Sequence, residues 1–215
     1  MKQKLKMFYE CMKPNIALMM ITILVVSLLS VGMVEETKAA DLGGRTNWRD
    51  AEGVNEKSFE GKGVTTQNSY TEYLLEDGEY VPNTVSINSA AELGSRENPY
   101  AIESEEDLIL FGKLQNSETT GKYFMLTKDV YDMQGNSKYM SPLFSSSIYH
   151  SGLVISTPFE GNLIGNNAVI KNAYIVDQYE QTSCNTGFFS SINNAAIWDL
   201  NIENSTFNIT QVSSI

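Results

Sequence analysis

The sequence predicts an all-β protein in which the chain coils as a solenoid and successive turns stack on one another. Residues 166–175 and 193–202 are similar stretches, 27 positions apart, with five identical residues. In each stretch small or apolar side chains occupy alternate positions, which is the pattern of a strand with one buried face. The alternation shifts by one residue at 171–172 and at 198–199, where a polar pair indicates a corner. A repeated unit of strand, corner and strand is typical of a solenoid.

The first 39 residues have the order of a secretory signal peptide. Lysines at positions 2, 4, 6 and 13 precede an uncharged run over 16–34, and small residues follow at 37 and 39. We expect cleavage after Ala39, which makes the protein secreted or exposed at the cell surface and limits membrane contact to the segment before cleavage. The alternative is an uncleaved anchor, because the 19 residues of the run approach the length that spans a bilayer.

Charge and composition exclude several classes of partner. Residues 1–39 hold five lysines and three carboxylates, so the rest of the chain carries a net charge of −13 rather than −11. Such acidity repels nucleic acid and anionic lipid, and we expect neither as a partner. Cys11 leaves with the signal peptide, so Cys184 has no cysteine to pair with. A single histidine, His150, excludes a multi-histidine metal site. We predict no metal and no cofactor.

Residues 40–97 show no sustained hydrophobic period, and their polar composition favours a linker or loosely ordered arm. The alternative is that residues 73–85 add strands to the following domain, with Asp77-Gly78 as the turn of a hairpin.

A β-helix domain is expected over 98–215, beginning with a short helix over about 105–115. Ser104 and Asp107 have the spacing of a capping box, and three acidic residues in the first turn suit the helix dipole. Because the first turn of a solenoid exposes its hydrophobic end, an amphipathic helix here suits a cap.

The remaining length allows roughly four turns of the solenoid. In the first turn we expect Phe124 and Leu126 to point inward. Residues 138–158 are expected to form an inserted loop, and the clearest repeats span 159–185 and 186–212. The last turn has no cap, so its strand edges are open. We expect the chain to be the N-terminal part of a longer protein, or its last turn to pair with missing turns or another chain.

Several short motifs resemble those of bacterial surface proteins. They include the Tyr-x-x-Leu-x-x-Asp beginning at Tyr123, the Phe-x-Gly beginning at Phe159, the Ile-x-Asn-x-x-Ile beginning at Ile170 and the Gly-Phe-Phe beginning at Gly187. Their order over 98–209 resembles the right-handed parallel β-helix that carries repeats of the GLUG kind. The chain departs from that pattern where Ser190 stands in place of a glycine. The resemblance implies an exported or wall-associated protein with an adhesive or scaffolding role, which in some members is attached to a protease or glycan-active domain.

The candidate site residues are few. Parallel β-helices also include polysaccharide lyases and hydrolases, whose chemistry needs clustered carboxylates. Nothing in the spacing brings the available ones together, and we predict no catalytic residue; the candidates are Asp129, Asp132, Glu160, Asp177 and Asp199. Tyr174 and Trp198 are possible ligand-contact residues, because outward aromatic rings can stack on glycans or dock a partner. The alternative is that they pack under the 138–158 loop.

The predicted function is therefore a non-catalytic, exported β-helix module with an adhesive, scaffolding or spacer role. Its expected partners are cell-wall glycans, host glycans or surface proteins. Two alternatives remain open: the N-terminal part of a glycan-active β-helix enzyme, and the accessory region of a large surface protease.

Overall fold

The structure, a computed structural model, describes residues 42–144, 147–148, 154–155, 158–179 and 187–211. The predicted signal peptide over 1–39 lies outside these residues, as do His150 and Cys184. Within the described ranges, no helix has the length and apolar character needed to cross a bilayer.

Strands predominate in the described residues, and helices are few and short. The strands are β1 (Thr46–Asn47), β2 (Ser69–Glu76), β3 (Glu79–Ser86), β4 (Tyr100–Ile102), β5 (Tyr123–Leu126), β6 (Val130–Asp132), β7 (Lys138–Tyr139), β8 (Ser147–Ile148), β9 (Val154–Ile155), β10 (Asn162–Ile164), β11 (Val169–Lys171), β12 (Tyr174–Tyr179), β13 (Ala196–Trp198), β14 (Asn201–Glu203) and β15 (Thr206–Gln211). The helices are a 3₁₀ helix (Trp48–Glu56), α1 (Glu105–Phe111) and α2 (Asn116–Thr119). The predicted all-β class is confirmed.

Three parallel sheets are built from strands that are distant in sequence. The first sheet has the order β4-β5-β10-β13, the second β6-β11-β14, and the third pairs β12 with β15. The chain passes through the three sheets in the same order twice, as β10-β11-β12 and then as β13-β14-β15. Within these two passes, consecutive strands therefore belong to different sheets, and each strand pairs with one from another pass.

The register of these passes differs from the predicted one. The internal similarity places Ile197 against Ile170, but Ile170 pairs with Ile202, and Ile197 pairs with Leu163. A full pass is therefore several residues longer than the predicted 27. The similarity aligned a strand of the second sheet with a strand of the first, because each follows an asparagine corner. Ile170 and Ile197 nonetheless pack in the same hydrophobic core.

The sequence predicts that Asn167, Asn172, Asn193, Asn194 and Asn201 lie at or near corners, and asparagines do occupy several of them. Asn166, Asn167, Asn172 and Asn194 all have positive φ, a conformation that asparagine tolerates better than most side chains. Asn201 instead lies within β14.

The helix α1 lies where the sequence predicted one and ends at Phe111, before the predicted end. Ser104 Oγ accepts a hydrogen bond from the backbone N–H of Asp107 at 3.0 Å. Asp107 reaches back to the N–H of Glu103, also at 3.0 Å. The helix inserts Phe111 into the core, where its ring centroid lies 4.8 Å from that of Phe124. Its apolar face thus covers the interior beside the first sheet.

The segment predicted as a linker is folded over residues 42–97. Its 3₁₀ helix buries Trp48, whose indole N–H donates to the carbonyl of Met133 at 2.8 Å. The strands β2 and β3 form the alternative antiparallel hairpin, turned at Asp77-Gly78 with positive φ at both residues. Hydrophobic periodicity missed this segment because its buried apolar residues are widely spaced and each inserts singly; they are Trp48, Val54, Val64, Tyr70 and Val85.

Candidate functional site

The two predicted contact residues lie on different sheets. Tyr174 begins β12 in the third sheet, and Trp198 ends β13 in the first. Trp198 is a strand residue rather than part of the corner, which follows at Asp199, where φ is positive. Tyr174 and Trp198 are therefore two separate candidate contact residues.

Tyr174 has a covered ring. Ile175, the next residue, is buried, so alternation places the Tyr174 side chain on the outer face of the strand. The guanidinium carbon of Arg45 lies 3.9 Å from the ring centroid, and the hydroxyl accepts a hydrogen bond from the side-chain amide of Asn208 at 3.1 Å. Arg45 is held in turn by a hydrogen bond from Nε to the carbonyl of Gly135. An intramolecular cation–π contact thus occupies a face that a glycan would need.

Trp198 continues a column of apolar side chains on the outer face of the first sheet. Strand register aligns Ala101, Met125, Ile164 and Trp198 across the four strands. The first three are buried, and Trp198 is only partly buried. Among the described residues, this column packs with Val64, Tyr70, Val85 and, partly buried, Ile87 and Tyr123. Much of the 138–158 loop, which the sequence offered as an alternative cover, lies outside the described residues.

An ion pair fixes the hairpin that supplies this cover. Glu72 is buried, and its carboxylate accepts hydrogen bonds from Arg96, including one from Nε at 3.0 Å, and from the side-chain amide of Asn83 at 2.8 Å. Tyr70 donates its hydroxyl proton to the carbonyl of Arg96 at 2.8 Å. The hydrogen bonds from Arg96 hold the pKa of Glu72 below its ordinary value, although burial acts in the opposite direction. Burial and the charge of Glu72 raise the pKa of Tyr70.

Beside Trp198 the outer face carries a second column, formed by Tyr123, Asn162 and Ala196. All three are partly exposed. Burial, followed by the charge of Glu72, raises the pKa of Tyr123, so its hydroxyl remains a hydrogen-bond donor at neutral pH. The Trp198 face, as we call the partly exposed surface of Tyr123, Asn162, Ala196 and Trp198, thus combines two aromatic rings with an amide. Such a surface can stack on a sugar ring or pack against an apolar partner.

Two of the five carboxylates considered from the sequence, Asp132 and Glu160, accept hydrogen bonds from neighbouring parts of the chain. Asp132 accepts hydrogen bonds from the Asn172 side-chain amide and the Gln134 N–H, each at 3.0 Å. The bond from Asn172 is the main reason that the pKa of Asp132 is lowered. Glu160 accepts from Thr120 Oγ1 and from the Asn193 amide, each at 2.9 Å. These bonds tie neighbouring passes of the chain together, and they leave Asp132 and Glu160 in separate places.

A groove that the sequence did not indicate lies between α1 and the segment after the 3₁₀ helix. It encloses about 620 Å³, and five carboxylates and two lysines line it: Glu56, Glu60, Glu103, Glu106, Asp107, Lys57 and Lys62. Lys57 pairs with Glu106 at 2.5 Å, and Asp107 caps the helix. In the part of the chain that the structure describes, no group of three or more histidine, cysteine, aspartate or glutamate side chains could hold a metal ion.

These features define an all-β protein with several parallel sheets and an aromatic face on the first of them. Comparison with protein-family models, with curated proteins and with solved structures finds no match to the chain.

Proposed function

We propose that the chain is a right-handed parallel β-helix that serves as a non-catalytic, exported module with an adhesive, scaffolding or spacer role at the cell surface. One observation carries the proposal: the chain passes twice through the same three parallel sheets in the same order. A chain that returns to the same sheets with parallel strands rises by one strand spacing with each pass, which is how a solenoid grows. Crossovers between parallel strands of one sheet are right-handed in nearly all proteins, which supports the handedness.

Partner binding is assigned to the Trp198 face rather than to Tyr174. Arg45 already covers the Tyr174 ring, whereas Trp198 lies where the hairpin cover ends and is partly exposed. An indole beside the amide of Asn162 offers stacking and hydrogen bonding on one surface. The ligand class that fits is a glycan of the cell wall or of a host surface, in keeping with the acidic chain's expected repulsion of nucleic acid.

The test is binding of the chain to purified cell-wall glycans and to an array of host glycans, with and without Trp198→Ala. We expect the substitution to weaken binding about tenfold or more, because stacking on an aromatic ring supplies much of such affinity. Tyr80→Ala is the matched control, since Tyr80 is an exposed aromatic residue of the hairpin away from the first sheet's outer column. Equal binding by all three proteins, or no glycan binding by any, would contradict the assignment.

A further inference from the structure

The hairpin of β2 and β3 extends past the part of it that covers the first sheet. Its inner face begins with the pair Tyr70 and Val85, which is buried against that sheet. Glu72, two residues further along the same face, is also buried. The next inner pair, Leu74 with Val81, is 38% exposed at both residues. The hairpin therefore projects from the first sheet beyond Glu72.

The outer face of this projecting part is also apolar. Leu75 and Tyr80 are directly opposite each other and are 64% and 72% exposed. The neighbouring outer pair is Tyr73 with Pro82, in which Pro82 is exposed and Tyr73 partly so. Single exposed apolar residues are ordinary, whereas a contiguous apolar patch marks an interaction surface. We call the patch formed by Tyr73, Leu75, Tyr80 and Pro82 the tip surface.

Strand pairing within the first sheet leaves the tip surface uncovered. The side chains of this surface lie on the face of the hairpin opposite to Tyr70 and Val85, which pack on the sheet. A sheet grows by strands placed side by side in its own plane. Further pairing there extends the sheet beneath the inner face of the hairpin and does not reach the outer face.

Pro82 indicates how a partner binds. Proline has no backbone N–H, so β3 lacks a donor for a strand added along its free edge at this position. Proline on an edge strand is one of the features that oppose strand addition. The tip surface therefore offers its side chains to a partner, rather than a strand edge on the β3 side.

The turn of the hairpin places negative charge beside the tip surface. Glu76, Asp77 and Glu79 are all exposed, and among the described residues none of the three forms an ion pair. No lysine or arginine occurs in the sequence over positions 63–95. A partner that combines apolar side chains with lysine or arginine is therefore the electrostatic complement.

Two other occupants fit this surface poorly. A second hairpin would bring three more carboxylates to the contact, and the chain after residue 39 is acidic as a whole, so self-association is opposed by charge. A lipid bilayer is disfavoured for another reason. The carboxylates lie at the leading end of the hairpin and would enter the bilayer before Leu75 and Tyr80.

We propose that the tip surface docks a segment of a separate polypeptide that has an apolar face flanked by lysine or arginine. Apolar contact with Leu75 and Tyr80 supplies most of the affinity, and the carboxylates of the turn select for basic residues. This docking goes beyond the proposed display role and does not depend on whether the Trp198 face binds a glycan.

The probe is a synthetic amphipathic helix of leucine and lysine, with the leucines along one face. Its acidic counterpart has glutamate in place of every lysine. Binding of each peptide to the intact chain is measured by calorimetry. We expect the lysine peptide to bind, and the glutamate peptide to bind about tenfold more weakly or less, because several charge pairs change sign.

A double serine variant tests the apolar contact. Leu75→Ser combined with Tyr80→Ser is expected to weaken binding of the lysine peptide by about tenfold or more, because the two most exposed apolar side chains of the tip surface are lost. Val130→Ser is the matched control, since Val130 is a 41% exposed apolar residue of β6, outside the hairpin. We expect this variant to bind as the parent does.

A charge reversal tests the contribution of the turn. Glu79→Lys is expected to weaken binding of the lysine peptide about two- to fivefold, the size of an exposed ion pair, and to strengthen binding of the glutamate peptide. Glu60→Lys makes the same change of charge at an exposed carboxylate of the groove beside α1 and should leave both affinities unchanged. Because Glu79 is exposed, its variant keeps the test valid even if the double serine variant misfolds.

The proposal fails if the lysine peptide does not bind, or if the double serine variant and Glu79→Lys bind it as the parent does. An equal loss of binding in Glu60→Lys would assign the peptide to general attraction by an acidic chain and would also overturn the proposal. Two further results contradict it by naming another occupant. These are dimers of the chain that the double serine variant dissociates, and binding to phosphatidylcholine vesicles that the same variant abolishes.

Discussion

Single side chains fix the places where the chain turns and where outer elements attach. Asn172 turns the chain with a positive φ, and its amide also reaches the carboxylate of Asp132 on the neighbouring pass. Gly165 is needed for a different reason. A Cβ at this position would lie 2.3 Å from the backbone oxygen of Asp199, so only glycine lets the two corners approach. Corner chemistry of this kind is visible in the sequence, and the asparagine corners could be predicted.

The partner of a buried charge could not be predicted. Glu72 and Arg96 are 24 positions apart in a region whose composition favours a linker, and nothing in their spacing indicates an ion pair. The pair forms because the hairpin turns over the first sheet, and that placement depends on Tyr70 and Val85 finding an apolar outer face. A hydrophobic pattern cannot predict such a contact, because both Glu72 and Arg96 are polar.

Glu72→Gln should make the protein less stable at pH 7 and less sensitive to acid. The pKa of Glu72 is lower in the folded protein than its ordinary value, so the carboxylate stabilises the fold above about pH 4.5 and loses this effect as the pH falls through the folded pKa. We expect a loss of about 1–3 kcal/mol in the free energy of unfolding at pH 7, the worth of hydrogen bonds to a charged group.

Urea unfolding at pH 7 and at pH 3 measures both effects. The difference in the free energy of unfolding between the parent and Glu72→Gln should be smaller at pH 3 than at pH 7. Glu79 is an exposed carboxylate of the same hairpin, and Glu79→Gln should have the stability of the parent at both pH values. A constant difference at the two pH values would mean that the charge of Glu72 does not stabilise the hairpin.

Among the elements, α1 could be predicted and the hairpin's position could not. The helix has a local signal in Ser104, the acidic first turn and the apolar stripe, and the structure places it over the core with Phe111 inserted among other aromatic rings. The turn of the hairpin was also visible at Asp77-Gly78, but its packing partner was not. Met125 and Ile164 are buried although they lie on the outer face, because the hairpin covers them.

Ser104→Ala should lower the free energy of unfolding by about 1 kcal/mol, because the N–H of Asp107 loses its side-chain acceptor. Ser104→Asp keeps an acceptor at the same place and should retain most of the stability. Thermal unfolding followed by circular dichroism distinguishes the two variants. If Ala and Asp were equally destabilising, the hydroxyl would have some role other than the helix cap.

For the whole molecule, the internal similarity predicted that strands stack but gave the wrong number of residues between strands that pair. The two similar stretches both begin at asparagine corners, so the alignment matched corners that belong to different sheets. Pairing is decided by which strand edge is free and which apolar side chain fits below another, and both are properties of the assembled core.

Engineered disulfides test the winding of the chain most directly. The structure pairs Val169 with Asn201 across adjacent parallel strands, whereas the internal similarity would pair Val169 with Ala196. In a background with both native cysteines replaced by serine, Val169→Cys combined with Asn201→Cys should form a disulfide, because neighbouring strands bring the Cβ atoms within bonding range. Val169→Cys combined with Ala196→Cys should remain reduced, as seen by mass spectrometry without reductant. The opposite result, a bond between 169 and 196 and none between 169 and 201, would contradict the stacking of the sheets on which the proposed β-helix depends.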